Sequence, residues 1–426
     1  MSWRPTAALI RVSVLPAAIA VLAVLARRAD LLLLAAPLAL AGVPLVLPPF
    51  GQPRVAMSLP ELTVNEDSRV RAVLTVSDTA RVQTLSYVLA TPDWVGPAHG
   101  GRVAVVVRAD GADRLAVGVP LWARRWGYSA VGPGTATLSA CAGLLRADLP
   151  IAQTRVRVLP ITARYKGTQT LPHPRGVVGL HRSTRPGEGS ELIGIRRFTA
   201  GDRIRRINWR TSLRSNELHV NATATDRDAT VQVLFDARFD AGTSGGAGGQ
   251  SSGIDRGVRA TAALSAFYLG LGDRVGLVTY AAQARVLTAR AGRVQWERIL
   301  TALLETSAPR AVGAEPALPI PPNLDPRALV LVVTPLVGRH IFTQAAVLAR
   351  SGHSVVVIDT LADEALPINS DAWTAPVNDL WRKERAVRIR QLTDLGLPIA
   401  AWEGNGSLDA VLRELARAAS RTGARR

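Results

Sequence analysis

The stretch Val231-Gln-Val-Leu-Phe-Asp236 decides the fold of the C-terminal half, because it is a short, mostly apolar run that ends on a carboxylate. Further apolar runs follow it, and helical spacing of apolar residues separates one run from the next. The runs are residues 273–280, 328–334, 354–359 and 398–402, and helices are predicted at 254–271, 294–304, 341–349, 376–395 and 408–417. Strands with two apolar faces that alternate with helices are typical of a parallel sheet covered on both sides. The pattern predicts a doubly wound α/β domain over residues 228–420.

Three charged residues follow the first of these strands: Asp236, Arg238 and Asp240. Sites in such folds lie at the carboxyl ends of strands, so these residues are candidates for a functional site. The Gly- and Ser-rich stretch at 242–253 comes next. It has no lysine and lacks the spacing of a phosphate-binding loop, so a flexible insertion is the better interpretation.

An arginine-rich segment, residues 187–227, lies upstream, after a Pro- and Gly-rich stretch at 161–190 that is predicted to be a linker. Seven arginines and a single acid, Asp202, occur between Arg196 and Arg214. This density requires either anionic partners or carboxylates from elsewhere in the chain. Gly201-Asp202 is a turn signal, and we expect Asp202 to serve that turn. No second carboxylate, histidine or serine lies near Asp202 at a spacing that favours acid–base catalysis.

Residues 52–160 change to a period of two, as in Thr154-Arg-Val-Arg-Val158. Gly and Pro interrupt the alternating runs at intervals near ten residues. This spacing predicts a small antiparallel β-sandwich with one face in water. The stretch Arg124-Arg-Trp-Gly-Tyr128 is predicted to form a strand edge on which arginine stacks against tryptophan.

The first fifty residues contain two long apolar segments, at about 7–26 and 31–50. A helix needs roughly twenty apolar residues to cross a bilayer, and only four residues separate these two segments. They therefore predict a transmembrane helical hairpin; the main alternative is a secretory signal peptide. Five arginines near the outer ends, against two in the connecting loop, favour a cytoplasmic location for both ends.

The composition bears on the partners that the protein can attract and on the covalent and metal links that it can form. The 426 residues include 51 basic and 33 acidic side chains, a net charge of +18, and nearly all the basic residues are arginine. This excess either reflects genome composition or attracts anionic lipid, nucleic acid or an acidic partner. Cys141 is the single cysteine, so the sequence excludes an intramolecular disulfide and any zinc site built on several cysteines.

The segment Glu191–Val220 resembles the signature of the bacterial family catalogued as domain of unknown function 58. That signature has the form R-x-Y/F-x-x-G-D-x-x-R-x-I-D/N-W-x-x-x-A/L-R. The matching residues are Arg197, Phe198, Gly201, Asp202, Arg206, Ile207, Asn208, Trp209 and Arg214. Members usually have Asp-Pro-x-Gly-Leu after the upstream basic element, whereas Cys141-Ala-Gly-Leu144 keeps only Gly-Leu. The resemblance implies a von Willebrand factor A-like region and an adaptor that partners a MoxR-type AAA+ ATPase, with no established activity.

The same resemblance implies a place for a metal ion. In von Willebrand factor A domains an Asp-x-Ser-x-Ser motif binds the cation, but here the string is Asp236-Ala-Arg-Phe-Asp240. Both serines are absent, and Pro335 stands near the position of a further acidic ligand. Because Mg²⁺ requires several oxygen ligands, we expect the site at Asp236 and Asp240 to be degenerate, with no cofactor.

Three hypotheses follow. The preferred one is a non-enzymatic adaptor in the cell membrane, held by two helices, with soluble domains in the cytoplasm and no small-molecule substrate. The second is anionic-lipid or nucleic-acid binding through Arg196–Arg214, which would weaken steeply with salt. A hydrolase is the third, and it lacks a recognisable nucleophile and base.

Overall fold

The computed structural model describes residues 3–42, 51–79, 82–96, 103–108, 113–162, 186–199, 204, 207–224, 230–281, 284–307, 324–326, 328–361, 374–404 and 407–413. The chain forms two compact units. The first comprises Met1–Pro160 and Gly246–Gly248, and the second comprises Ile161–Gly245 and Gly249–Arg426.

The first unit begins with a two-residue strand, β1 (Arg4–Pro5), and two apolar helices, α1 (Ala7–Leu25) and α2 (Leu31–Gly42). Helix α1 has 19 residues and a mean hydropathy of 2.4, so it is long and apolar enough to cross a membrane. Helix α2 is described over 12 residues, and residues 43–50 of the predicted second segment lie outside the described part. One helix of the predicted pair therefore has the dimensions of a membrane span, and the second span stays a prediction.

Three β-sheets form the rest of the first unit. Their order is β1-β11-β10-β5-β7 in one sheet, β2-β4-β8-β6 in the second and β3-β12-β9 in the third. The strands are β2 (Arg54–Ser58), β3 (Thr63–Asn65), β4 (Arg69–Ser77), β5 (Thr84–Leu89), β6 (Val95–Gly96), β7 (Val103–Arg108), β8 (Arg114–Ala123), β9 (Gly127–Val131), β10 (Gly134–Ala140), β11 (Leu145–Ile151) and β12 (Thr154–Leu159).

The predicted alternation of buried and exposed side chains is present in these strands. In β11, every second residue from Leu145 to Ile151 is buried, and the residues between them are exposed. One hydrophobic core draws side chains from all three sheets, including Leu74, Leu85 and Val158. The pairs are antiparallel except for β3 with β12, which is parallel. A parallel pair needs a long connection, and the chain between these two strands supplies one.

Helix α1 starts directly from the first sheet. Strand β1 pairs with β11, with Arg4 opposite Arg146, and only Thr6 separates β1 from α1. The Thr6 amide donates to the Leu144 carbonyl at 2.9 Å, and its hydroxyl donates to the Gly143 carbonyl at 2.8 Å. Leu9 in the first turn of α1 is buried against the turn between β10 and β11. The helix therefore leaves the sheet in a fixed position.

The second unit contains a two-stranded antiparallel sheet, β13 (Pro186–Arg197) with β14 (His219–Ala224), and the short helix α3 (Trp209–Ser215) between them. Strand β13 begins inside the stretch predicted as a linker at 161–190. Residues 163–185 lie outside the described part, so the linker stays a prediction.

A six-stranded sheet with helices forms the body of the second unit, in the order β17-β16-β15-β18-β19-β20. All its pairs are parallel except β16 with β17. The strands are β15 (Thr230–Asp236), β16 (Arg274–Tyr280), β17 (Arg285–Arg290), β18 (Leu329–Thr334), β19 (Ser354–Asp359) and β20 (Ile399–Ala401). The helices are α4 (Gly253–Gly270), α5 (Arg293–Leu304), α6 (Arg339–Arg350) and α7 (Thr374–Asp394), and residues 407–413 are also helical.

The predicted strands and helices of this unit agree with these bounds within a few residues. The burial pattern agrees as well, because all six residues of β18 are buried, as a strand covered on both faces requires. The antiparallel edge strand β17 of the six-stranded sheet was not predicted from the sequence pattern. Its side chains are mostly exposed, so it lacks the apolar run by which the other strands were recognised.

Close packing of α4 on β15 depends on Gly257. A Cβ atom at this position would overlap the buried ring of Phe235. We expect Gly257→Ala to lower the free energy of unfolding by about 1–3 kcal/mol, because overpacking outweighs the better helix propensity of alanine. Urea unfolding of the full chain in detergent micelles measures the effect. Gly270→Ala in the same helix is the control, since its Cβ would contact nothing within 4 Å; equal stability of the two variants would contradict the expectation.

Candidate functional site

Residues 198–218 of the arginine-rich signature lie in sequence between β13 and β14, and we call them the signature arch; the structure describes residues 198, 199, 204 and 207–218 of it. Backbone hydrogen bonds close the arch at its base: the Phe198 amide donates to the Leu218 carbonyl, and the Asn208 amide donates to the His219 carbonyl, both at 2.8 Å. Ile207 forms an isolated bridge with Val220, and both side chains are buried. The described part of the signature arch is therefore attached to the two-stranded sheet.

Asn208 holds the start of α3 in place. Its side-chain oxygen accepts a hydrogen bond from the Thr211 amide at 3.1 Å, as an N-cap residue does. Its side-chain nitrogen donates to the Asn221 side chain of β14 at 2.9 Å. An asparagine supplies both bonds because its amide group is donor and acceptor at once.

Ser212 fastens the inner face of α3 to β14. Its buried hydroxyl donates to the Asn208 carbonyl at 2.8 Å and accepts from the His219 amide at 2.9 Å. The helix ends at Asn216, which has the left-handed φ of 56° that asparagine tolerates. Helix α3 is thus anchored along one side by hydrogen bonds.

The outer face of α3 carries large apolar and basic side chains in water. Trp209 is 58% exposed and Leu213 is 82% exposed. Arg210 and Arg214 are exposed next to them. The outer face of α3 therefore combines two exposed apolar side chains with two exposed guanidinium groups.

Several signature residues lie outside the described part of the chain, namely Gly201, Asp202 and Arg206. The predicted turn role of Asp202 therefore stays a prediction. Arg197 is described, and its guanidinium pairs with the Glu217 carboxylate at 2.9 Å, with both side chains largely exposed. One of the seven arginines is therefore neutralised by a carboxylate of the signature arch itself.

The second candidate site lies at the carboxyl edge of the six-stranded sheet. Asp236 ends β15, and its carboxylate accepts from the Arg238 Nε at 2.8 Å and from the Arg238 Nη2 at 3.1 Å. The Thr334 hydroxyl, at the end of β18, donates to the same carboxylate at 3.1 Å. All three side chains are buried. The Asp236 carboxylate and the Arg238 guanidinium neutralise each other in a bidentate ion pair.

Neighbouring elements are tied to this ion pair. The Ala237 amide donates to the Tyr280 carbonyl at 2.7 Å, and the Leu336 amide donates to the Thr334 hydroxyl at 3.0 Å. Burial raises the pKa of Tyr280 to about 12, and the Asp236 charge adds to the rise, while the Gln344 hydrogen bond and Arg238 oppose it. Tyr280 is therefore a neutral hydrogen-bonding group at physiological pH.

Asp240 forms a hydrogen bond with the helix that follows, α4, and not with the ion pair. Its carboxylate accepts from the Ile254 amide at 3.1 Å, in the first turn of α4. Ser252 caps the same helix, and Asp255 completes a capping box. An acidic side chain at a helix N-terminus is stabilised by the unpaired amides and the helix dipole.

The residues present do not fit a magnesium site. Arg238 places a guanidinium on the two Asp236 oxygens that a cation would use, and Asp240 is exposed and bonded to α4. Within the described residues no group of three or more His, Cys, Asp or Glu side chains could hold a metal ion. A hard divalent cation needs several free oxygens, so the predicted degeneracy has a structural reason at Arg238.

A second ion pair at the same edge of the sheet was not predicted. Arg385 of α7 donates to the Asp359 carboxylate at the end of β19, and it also reaches the Pro335 carbonyl at 3.4 Å. Twenty-six residues separate the two charges in sequence. An aspartate at the end of a strand was the sole available signal, and sequence alone does not identify its partner.

Breaking the buried ion pair should destabilise the second unit. We expect Arg238→Met to lower the free energy of unfolding by about 3–5 kcal/mol, because it leaves the Asp236 carboxylate buried without its counter-charge. Urea unfolding of the full chain in detergent micelles measures the loss. The double variant Asp236→Asn/Arg238→Met removes both charges and should recover part of the stability; a double variant less stable than the single one would contradict this account.

Metal binding provides an independent check of the same site. We expect isothermal titration of the full chain with Mg²⁺ to show no micromolar binding, because Arg238 occupies the Asp236 oxygens. The control is the Asp236→Ala variant. Micromolar binding by the wild type that disappears in this variant would overturn the expectation.

Comparison with known sequences gives a family. Residues 194–390 match the model of the family described as "Protein of unknown function DUF58". The match contains the whole signature arch and the strands β15 to β19. Uncharacterized protein Rv1480 of Mycobacterium tuberculosis (strain ATCC 25618 / H37Rv) is 27% identical over 227 residues, which cover 51% of this chain and 68% of that protein. Uncharacterized protein Mb1516 of Mycobacterium bovis matches with the same values.

Comparison with solved structures gives only weak likenesses. A fragment of alpha-2-macroglobulin from Escherichia coli is 19% identical, covers 26% of this chain and 17% of that chain, and has a TM-score of 0.21. A non-cellulosomal cohesin from Archaeoglobus fulgidus is 8% identical, covers 26% of this chain and 92% of that chain, and has a TM-score of 0.20. At TM-scores this low, neither likeness bears on the fold.

Proposed function

Through residues 194–390 this chain belongs to the DUF58 family of proteins of unknown function, and from that membership we propose that it is a membrane-anchored, non-enzymatic adaptor. Its partner is a MoxR-type AAA+ ATPase, and its two soluble units lie in the cytoplasm. The N-terminal segments hold it in the cell membrane, and the second unit binds the partner.

The membrane part of the proposal is supported by the N-terminal helices. Helix α1 has the length and hydropathy of a span, and the segment from residue 31 to residue 50 carries no charge. The turn between α1 and α2 contains Arg27 and Arg28, while more arginines flank the outer ends. That distribution favours two spans with both ends on the cytoplasmic side.

A von Willebrand factor A-like fold of the second unit is supported by the strand order. The order runs outward from β15 in one direction through β16 and β17, and in the other through β18, β19 and β20. The order thus reverses between β15 and β18, the place where ligands bind in doubly wound folds. Asp236 and Thr334 lie at the carboxyl ends of these two strands.

The observation that carries the non-enzymatic part of the proposal is the guanidinium of Arg238 on Asp236. At the point of the sheet where such folds bind ligands, a side chain of the same chain neutralises the carboxylate and fills its hydrogen bonds. Neither charge is available to bind a metal ion or to move a proton. This arrangement supports a function in which exposed surfaces recognise another protein.

Purification from native membranes tests the proposal. We expect the tagged full chain to stay with carbonate-washed membranes and, after mild detergent extraction, to co-purify with a MoxR-type ATPase that mass spectrometry identifies. The control is an unrelated tagged protein with two membrane helices, purified in parallel. Recovery of the chain in the aqueous supernatant would contradict the anchor, and repeated absence of the ATPase would contradict the adaptor function.

A further inference from the structure

Helix α3 presents two pairs of side chains to solvent. Trp209 and Leu213 are four residues apart, and so are Arg210 and Arg214. Residues four apart lie on one face of a helix, so an apolar pair stands directly beside a basic pair. All four side chains are exposed. We call these four residues the α3 ridge.

The ridge is rigid, although the helix beneath it is short. Asn208 bonds to both Thr211 and Asn221, and Ser212 bonds to His219 across to β14. These bonds fix the inner face of α3, so the helix backbone is already ordered before a partner binds to its outer face. Side chains presented in this way lose less entropy on binding than those of a mobile loop.

We propose that the α3 ridge is the surface by which this adaptor binds its partner protein, and that the partner offers an apolar cleft edged by aspartate and glutamate. Trp209 and Leu213 enter the cleft, and Arg210 and Arg214 bind the carboxylates at its edge. This inference rests on the proposed adaptor function and assigns it a site and a partner chemistry.

Charge complementarity selects an acidic partner. Among the described residues, no carboxylate lies within salt-bridge distance of Arg210 or Arg214, and the neighbouring Glu217 is paired with Arg197. The guanidinium fork binds carboxylates with two parallel hydrogen bonds. Tryptophan and arginine are also the residues that most often dominate the binding energy of protein interfaces.

A protein partner fits the ridge better than a membrane surface or a nucleic acid. Helices that lie in the lipid interface are usually long and amphipathic, whereas α3 has seven residues. Nucleic acids bind arginine and stack on tryptophan, but stacking uses flat aromatic side chains, so it does not account for Leu213, the most exposed large apolar residue of the described chain.

The test uses the full chain in nanodiscs of phosphatidylcholine and a purified MoxR-type ATPase from the same genome as the probe. We expect Leu213→Ala to weaken binding about tenfold or more, and Arg210→Glu/Arg214→Glu to weaken it at least about 30-fold, with a flatter salt dependence. Neither change touches a buried group, so both variants should unfold at the wild-type urea concentration.

Matched controls are exposed residues of the same types on other helices. Leu380→Ala and Arg293→Glu/Arg390→Glu make the same changes on α7 and α5, where these side chains are also exposed. We expect them to bind the ATPase within about twofold of the wild type, since charge changes outside an interface act only on long-range attraction.

The outcomes separate the two proposals. If the wild type binds and the ridge variants bind equally well, the ridge is not the docking surface and the adaptor function stands. If the wild type does not bind the ATPase, both proposals fail. Phosphatidylglycerol vesicles and a DNA duplex are tested in parallel. Loss of binding to either of these in the ridge variants, with the ATPase unaffected, would assign the ridge to lipid or to nucleic acid and overturn the inference.

Discussion

The ion pair between Asp236 and Arg238 organises the carboxyl edge of the six-stranded sheet. The Asp236 carboxylate also accepts from Thr334, so one buried group joins the ends of β15 and β18. The chain just after it bonds to Tyr280 and thereby joins β16. Such a pair adds little net stability over apolar packing, but removal of one partner leaves a buried charge that is costly to keep. The two charges therefore stay paired, and Arg238 occupies the position at which doubly wound folds bind ligands.

The signature arch differs from this buried ion pair in the way its side chains are distributed. Its polar side chains, Asn208 and Ser212, are used internally to hold α3 on β14, while Trp209 and Leu213 of the same helix face solvent. A helix that served only stability would bury Trp209 and Leu213 and expose its serine. The reversed distribution is explained if contact with another protein buries them. The ion pair of Asp236 and Arg238 is thus buried, whereas the outer face of α3 is exposed.

Much of the second unit was predictable from sequence, because a strand covered on both faces leaves an uninterrupted apolar run such as the one that forms β18. The edge strand β17 and the seven-residue helix α3 were not, since exposed or very short elements carry no such pattern. Asp236 and Arg238 could be found because they are two residues apart. Their third partner, Thr334, is 98 residues away, and its role depends on the parallel pairing of β15 with β18, which no local pattern encodes.

The junction of β1 with α1 has a mechanical consequence. One residue, Thr6, separates them, and a single residue spans no more than about 3.6 Å. No flexible linker therefore separates α1 from the sheet to which β1 belongs. Any tilt of α1 would move β1 with it, and the pairing of β1 with β11 would pass that movement directly to the sheet.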